Sequence, residues 1–377
     1  MRLRFSSILL AAASVAILVA ARPTTPGTYD MRVGAVKLLS AGVMQFGSDG
    51  TLFVADARAG AVYALDVAET TRDTSSTPIR IDDVDEKIAA ALGTTRDQIR
   101  IRDMVAHPLS QSLYFSVARG RGEGATVAIA RVTKRDARVT VLSLENVRHA
   151  RAELPDAPSA DAKTPWGEPT RAMAITDLAL VNGELLVAGL SNEEFSSALR
   201  RVPYPFGGAA KSTTVEVFHT SHDKYETASP IESMLPMTLG GKDVVLASYT
   251  CSPLAVFDRA ELTAKHHVRG RTVAELGGGN RPLDMIRYVS PRSGKEYVLI
   301  ANSHRTLMRM DPLDIANAPG MTTAVKQAYE PAGVSYLPVS SYGVLQLDAY
   351  NKANAVLLQR DPDDGSLDVR SLGLNWL

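Results

Sequence analysis

The sequence predicts an all-β fold, a six-bladed β-propeller of four-stranded antiparallel blades with one short helical insertion, and three observations carry that prediction. First, an apolar strand pair stands openly in Gly42 to Asp66, GVMQFGSDGTLFVADARAGAVYALD. Second, the pair is echoed five more times, at Val105 to Val117, Ile175 to Gly189, Met234 to Tyr249, Met285 to Asn302 and Tyr336 to Tyr350. Third, further strand-like runs follow in most units, as at Ala61 to Asp66, Ala125 to Val132, Leu199 to Val202 and Thr306 to Asp311. Each echo is an apolar run, a polar or glycine-bearing turn, and a run rich in β-branched and aromatic residues. No unit can bury its faces alone, so the units must stack. Their uneven spacing places insertions in loops.

The chain starts with a targeting pattern. Arg2 and Arg4 precede an apolar stretch from Ile8 to Ala21 that ends in Val19-Ala20-Ala21, and Arg22-Pro23-Thr24-Thr25-Pro26 then breaks any helix. This reads as a signal peptide over 1–21, a flexible linker over 22–30 and a single propeller domain over 31–377, exported to the periplasm or the extracellular space. The stretch is shorter than the roughly 20 residues a membrane span needs, which sets cleavage against retention as an anchor. No cysteine follows it, which excludes lipoprotein attachment.

Composition supports a large packed core. The chain has 377 residues, 45% of them apolar, and one ring closed by all its units accounts for that length. Lys plus Arg and Asp plus Glu both number 41, so no global field favours nucleic acid or an anionic membrane surface. The expected partner is a small molecule or a protein, with no membrane span after signal cleavage. Cys251 is the only cysteine, so intramolecular disulfides, CxxCH haem attachment and multi-cysteine metal sites are excluded. Its context, Ser248-Tyr249-Thr250-Cys251-Ser252-Pro253, suits a small buried side chain better than a nucleophile.

Two insertions interrupt the repeats. Asp83 reads as the N-cap of a short helix with Glu86 three residues on, Val84, Ile88, Ala91 and Leu92 on one face, and Gly93 ending it. That helix is a clamp on the ring. The other insertion, Leu154 to Pro169, sets prolines around Trp166-Gly167 and cannot be regular structure. Trp166 there either plugs onto the ring or lines a binding mouth.

The run Phe46-Gly47-Ser48-Asp49-Gly50-Thr51-Leu52-Phe53-Val54-Ala55-Asp56, followed by Gly60-Ala61-Val62-Tyr63, resembles the blades of NHL-repeat, strictosidine-synthase-like and gluconolactonase (SMP-30) propellers. The resemblance implies a six-bladed ring and leaves the activity open, since one scaffold hosts many functions. Gluconolactonase relatives hold one divalent metal in the channel on a Glu, Asn and Asp set that polarises the lactone carbonyl. Here Val43-Met44 stands where an acidic ligand would be, while Asp284 and Asn302 could supply part of the set. Quinoprotein sugar dehydrogenases using pyrroloquinoline quinone share the ring and the export, and His107-Pro108 beside Tyr114-Phe115-Ser116 is similar to their blades.

Ring geometry says where a site should be. The starts of inner strands, the loops joining second to third strands and the interblade loops share one end of the channel. Inner strands open with Arg102-Asp103-Met104, Thr176-Asp177-Leu178, Glu232-Ser233-Met234 and Leu283-Asp284-Met285, with Val43 and Tyr336 at the same register elsewhere. Asp103, Asp177 and Asp284 are therefore expected to converge, either around Ca²⁺ or another divalent cation or as braces bonding neighbouring backbone N–H groups. Glu232, Arg281, His304, Asn302, Tyr249, Arg119 and Trp166 are the expected ligand-binding residues around them. His219 and His222 have a spacing that chelates zinc on a helix but fall in a loop, and Gly277-Gly278-Gly279 lacks a nucleotide-binding context. No Gly-x-Ser-x-Gly elbow occurs and the sequence offers no clear catalytic set. The reading is an exported propeller that binds at its channel mouth, with a metal-dependent lactonase-like hydrolase or a quinoprotein dehydrogenase as the alternative. Closure of the ring is expected between Ser366 to Leu372 and Met31 to Leu39, which would remove its open edge.

Overall fold

Alternating apolar runs joined by glycine-bearing turns make hairpins, and in the computed structural model those hairpins assemble into six sheets, antiparallel except where His267–Arg269 pairs in parallel with Lys211–His219. The structure describes residues 31–164, 167 and 169–377, so the expected signal peptide and linker lie outside the described residues. Blades are numbered here by the chain order of their innermost strands. Blade 1 runs outward through Met44–Phe46, Thr51–Asp56, Ala61–Asp66, Val147–Glu153 and Arg32–Gly34. Blade 2 holds Ile99–Ala106, Leu113–Arg119, Thr126–Val132 and Val139–Val141. Blade 3 holds Asp177–Val181, Glu184–Leu190, Ser197–Pro203 and Lys211–His219, and blade 4 holds Ile231–Leu239, Lys242–Tyr249, Pro253–Asp258 and Arg271–Glu275. Blade 5 holds Pro282–Val289, Glu296–Asn302, Leu307–Met310 and Leu337–Val339. Blade 6 holds Val344–Asn351, Asn354–Arg360, Leu367–Gly373 and Arg80–Ile81.

The first hairpin shows why its glycine is there. Gly50 turns at φ +89°, and a Cβ at that position would come within 2.8 Å of His107 Nε2 on blade 2. Any other residue would meet both backbone strain and a buried ring.

The core is divided among the gaps between blades, and the pairs that fill each gap give the ring order. Val54 packs with Tyr114 between blades 1 and 2, and Phe115 with Val356 between blades 2 and 6. Leu299 and Leu357 share the gap between blades 5 and 6, and Leu246 and Ile300 that between 4 and 5. Val217 and Ala247 join blades 3 and 4, and Phe53 and Val187 join blades 1 and 3. Around the ring the blades therefore run 1, 2, 6, 5, 4, 3. Blade 2 stands between blades 1 and 6, and the chain returns from it to add Val147–Glu153 to blade 1 before starting blade 3.

This order corrects the expected closure. The C-terminal strand Leu367–Gly373 pairs with Arg80–Ile81, and Arg32–Gly34 pairs with Val147–Glu153. Because blade 2 separates blade 6 from blade 1, the two chain ends fall on different blades. The segment passing from blade 1 to blade 2 crosses the free edge of blade 6 and covers it, which meets the same need to hide an edge. The sixth unit is also displaced from its expected start. Leu337–Val339 is the outer strand of blade 5, and the inner strand of blade 6 is Val344–Asn351.

The inserted helix spans Val84–Ala91 and buries Val84, Ile88 and Ala89 against blades 2 and 6. Asp83 precedes it at φ +52° without a side-chain cap, contrary to expectation. Its amide instead donates to Asp368 Oδ1 at 2.9 Å, while Asp85 Oδ1 accepts from the Leu367 N–H at 3.1 Å. Both contacts bind the helix to the C-terminal strand. Between 154 and 169 the described residues hold no strand beyond the single bridge Lys163–Pro169. Arg200, wholly buried, fastens this loop to blade 3: its Nε bonds Asp156 at 2.7 Å, and its terminal nitrogens donate to Ala174 O and Leu190 O. Among the described residues no helix is long and apolar enough to cross a membrane.

Candidate functional site at the channel mouth

Four aspartates line the channel, and the inner strands present them because the ring turns equivalent positions toward one axis. Asp103, Asp177 and Asp284 stand where the register places them, and Asp348 of blade 6 joins them in a cavity of about 380 Å³. Each carboxylate makes the same two bonds. One oxygen accepts the N–H of the next residue in its own strand: Met104 at 2.8 Å, Leu178 at 2.8 Å, Met285 at 2.8 Å and Ala349 at 2.7 Å. The other reaches the neighbouring blade. Asp103 takes the Met44 N–H at 2.6 Å, Asp177 that of Met234 at 2.6 Å, Asp284 that of Leu347 at 2.9 Å and Asp348 that of Ala106 at 2.8 Å. Four of the six interblade seams are braced in this way. Val43 of blade 1 and Ser233 of blade 4 hold the register at the other two.

Enclosure sets the protonation of this ring. Desolvation raises the carboxyl of Asp103 to about 7, that of Asp177 to about 8 and that of Asp348 to about 6. Asp284 is driven well above the usual carboxylate range by desolvation, and the charges of Asp103, Asp177 and Asp348 add to it. The backbone N–H bonds act in the opposite direction on all four.

Beside the ring stands a further carboxylate, Glu232, whose partner is a side chain. Glu232 lines the same cavity and pairs with Arg281 at 2.5 Å. Desolvation raises Glu232 although Arg281 pulls it down. The Arg281 amide donates to Ser303 Oγ at 2.8 Å, and Ser303 Oγ lies 2.8 Å from His304 Nδ1. Glu232 is thus joined to Arg281 by a side-chain pair, and Arg281 to His304 through its own amide and Ser303; Glu232 lines the cavity, whereas Arg281 and His304 lie outside its lining.

The other expected residues take different places. Asn302 is buried and structural: its Oδ1 accepts from Asn280 Nδ2 at 2.8 Å, and its amide donates to Ile300 O and Thr306 O. Tyr249 is fully buried in the core between blades 3 and 4, because an apolar neighbourhood claims its ring, and so it does not reach the mouth. Arg119 is exposed at the end of its strand on blade 2 and is absent from the cavity lining. Trp166 lies outside the described residues. Asp348 escaped the sequence reading because the sixth unit was framed too early. Its signal is there in Gln346-Leu347-Asp348, an inner-strand run of the same kind.

A cation on Asp103, Asp177 and Asp284 would need their oxygens to converge. Among the described residues, the group of three or more His, Cys, Asp or Glu whose ligand atoms lie within 4.8 Å of one another is His219, His222 and Cys251. The aspartates are not such a group, since backbone amides hold their oxygens against the wall. The ring of residues 31–377 has the architecture that the resemblance to NHL-repeat and SMP-30 propellers implied.

No protein-family model matches the chain, and no curated protein matches it. Solved structures give distant likenesses. One is the extracellular domain of a protein assigned as a one-component system in B. thetaiotaomicron, 8% identical, with 90% of this chain and 38% of that chain covered and a TM-score of 0.34. This chain thus spans little more than a third of that structure's length. Another is a Thermus thermophilus protein assigned as a glucose dehydrogenase-type oxidoreductase, 12% identical, covered over 91% of this chain and 100% of that one, TM-score 0.35. A third is virginiamycin B lyase from Staphylococcus aureus, 8% identical, with 91% and 99% covered, TM-score 0.31. Likeness at this level assigns neither activity nor compartment.

Proposed function

We propose that this protein is an exported binding propeller that takes a small polar ligand, or the tip of a partner's loop, at the channel mouth. The rim of Glu232, Arg281 and His304 is the recognition layer and the aspartate ring the scaffold beneath it. The observation that carries this reading is Glu232, which lines a cavity of about 380 Å³, a volume within the usual range for small-molecule sites, and which pairs with the Arg281 side chain beside it. The pair is held by side chains alone, and Arg281 is half exposed. A ligand group can therefore replace either partner without unseating backbone, so exchange costs little. A carboxylate or phosphate on the ligand would meet Arg281, and an ammonium or hydroxyl would meet Glu232 and the ring below.

The ring's oxygens are already committed to amides of two blades, which favours binding over metal-dependent hydrolysis at the channel. Export rests on the charged start, the short apolar stretch and the Ala-ending pattern within 1–21. N-terminal sequencing of protein from the exported fraction should give a start at or near Arg22. Native mass spectrometry of that protein should show a small-molecule adduct that Glu232→Gln and Arg281→Met both lose while retaining the parent fold. An adduct kept by both variants would refute the assignment of the site, and intact 1–21 on membrane-bound protein would refute the proposed export.

A further inference from the structure

Away from the channel, the seam between blades 3 and 4 gathers two histidines, the only cysteine and two glutamates. Strand Lys211–His219 ends blade 3 with a wholly buried His219, a turn carries His222 to the surface, and Lys224–Glu226 folds back beside it. Cys251 arrives from blade 4, directly after Lys242–Tyr249. The His219 and His222 rings lie 3.9 Å apart, centroid to centroid. Glu226 faces both imidazoles, with Oε1 2.6 Å from His222 Nδ1 and Oε2 3.2 Å from His219 Nδ1. On its other side His219 Nε2 lies 3.5 Å from Ser252 Oγ and 3.8 Å from Glu275 Oε2.

One atom here lacks the hydrogen bond that burial demands. Glu275 Oε1 is buried and makes no hydrogen bond, whereas His219 Nδ1 has the Glu226 carboxylate 3.2 Å away as its ion-pair partner. One ring nitrogen of each histidine and the sulfur of Cys251 lie within 4.8 Å of one another, so modest side-chain movement would bring them round a single ion.

We propose that His219, His222 and Cys251 form a binding site for a divalent transition metal of the zinc type. The donor set selects the metal: a thiolate with two imidazoles suits Zn²⁺ and its borderline neighbours and rejects Ca²⁺ and Mg²⁺, which want oxygen. Glu226 stands where a carboxylate orients metal-binding imidazoles, which makes it a positioning residue. With three protein ligands and His222 half exposed, the fourth position faces water. The site is separate from the mouth and does not rest on the reading of the rim.

Because Cys251 is the only thiol, its chemistry reports on this site alone. Metal-free protein titrated with Co²⁺ should develop a sulfur-to-cobalt charge-transfer band at one equivalent, and Zn²⁺ should displace it. Cys251→Ser should abolish the band, and His222→Gln should weaken Zn²⁺ binding strongly. Glu226→Gln should weaken it roughly 10–100-fold. One equivalent of Zn²⁺ should also protect Cys251 from alkylation by iodoacetamide, whereas Ca²⁺ should not. Circular dichroism and melting in chelator establish that each variant is folded; a variant that fails is replaced by His222→Ala, whose side chain is half exposed. Cobalt binding without the charge-transfer band, equal Zn²⁺ affinity in Cys251→Ser, or unprotected alkylation would each overturn the proposal.

Discussion

The aspartate ring and Glu232 are both acidic and share one cavity, yet they are held in opposite ways. Each ring carboxylate spans two backbone amides, one from its own strand and one from the next blade. Glu232 meets the guanidinium of Arg281, and its fixed partner is another side chain. A carboxylate bound to backbone cannot let go without opening a seam between blades, whereas one bound to a mobile side chain can change partners. Charge alone therefore does not mark a site; the nature of the partner does.

The comparison is sharpened first by a scaffold contact of the strongest kind. Arg200→Met should cost about 3–5 kcal/mol, because it strands Asp156 and leaves the carbonyls of Ala174 and Leu190 without their buried donor. Chemical denaturation reads this directly, and a cost under about 1 kcal/mol would show that the 154–169 loop is not fastened as described. Next come the ring variants. Asp177→Ala leaves the N–H groups of Met234 and Leu178 unpaired and should cost about 1–3 kcal/mol, as should Asp103→Ala and Asp284→Ala.

The ring also gives stability a direction in pH. Its carboxyls ionise near 4 in the unfolded chain and at about 6 to 8 in the folded one for Asp348, Asp103 and Asp177. Between those limits the folded protein holds protons that the unfolded chain has released, so the ring's contribution to stability is full below about pH 4 and is lost as pH rises from about 4 to 8. Melting temperatures measured across that window should decline, and Asp177→Asn should make the decline shallower. A profile that rises with pH would mean the ring is ionised and stabilised by its amides. The smallest effect belongs to the rim: Glu232→Gln should change stability by no more than about 0.5 kcal/mol, since a pair open to solvent on its arginine side contributes little.

Much of this was legible in the sequence, and the misses share a cause. The hairpins are local, so Phe46 to Ala61 announced its blade, and the register of Asp103, Asp177 and Asp284 followed from equivalent strand positions. Ring order was not local. Arg80–Ile81 is two residues long and pairs with residues nearly three hundred positions away, and Arg32–Gly34 has only three, so neither carries a pattern that names its partner. Asp348 was hidden by Leu337-Pro338-Val339, an apolar outer strand that looks like the start of a unit. His219 and Cys251 met for a similar reason, because only the contact of blades 3 and 4 joins them. Sequence could rank each alone, and each alone was weak.

The most direct test of the division between ring and rim is a pair of thermal melts at neutral pH, Asp177→Ala beside Glu232→Gln, each against the parent protein. If the ring is scaffold and the rim exchangeable, the first melts clearly lower and the second within error of the parent. Equal losses, or a larger loss for Glu232→Gln, would contradict the account.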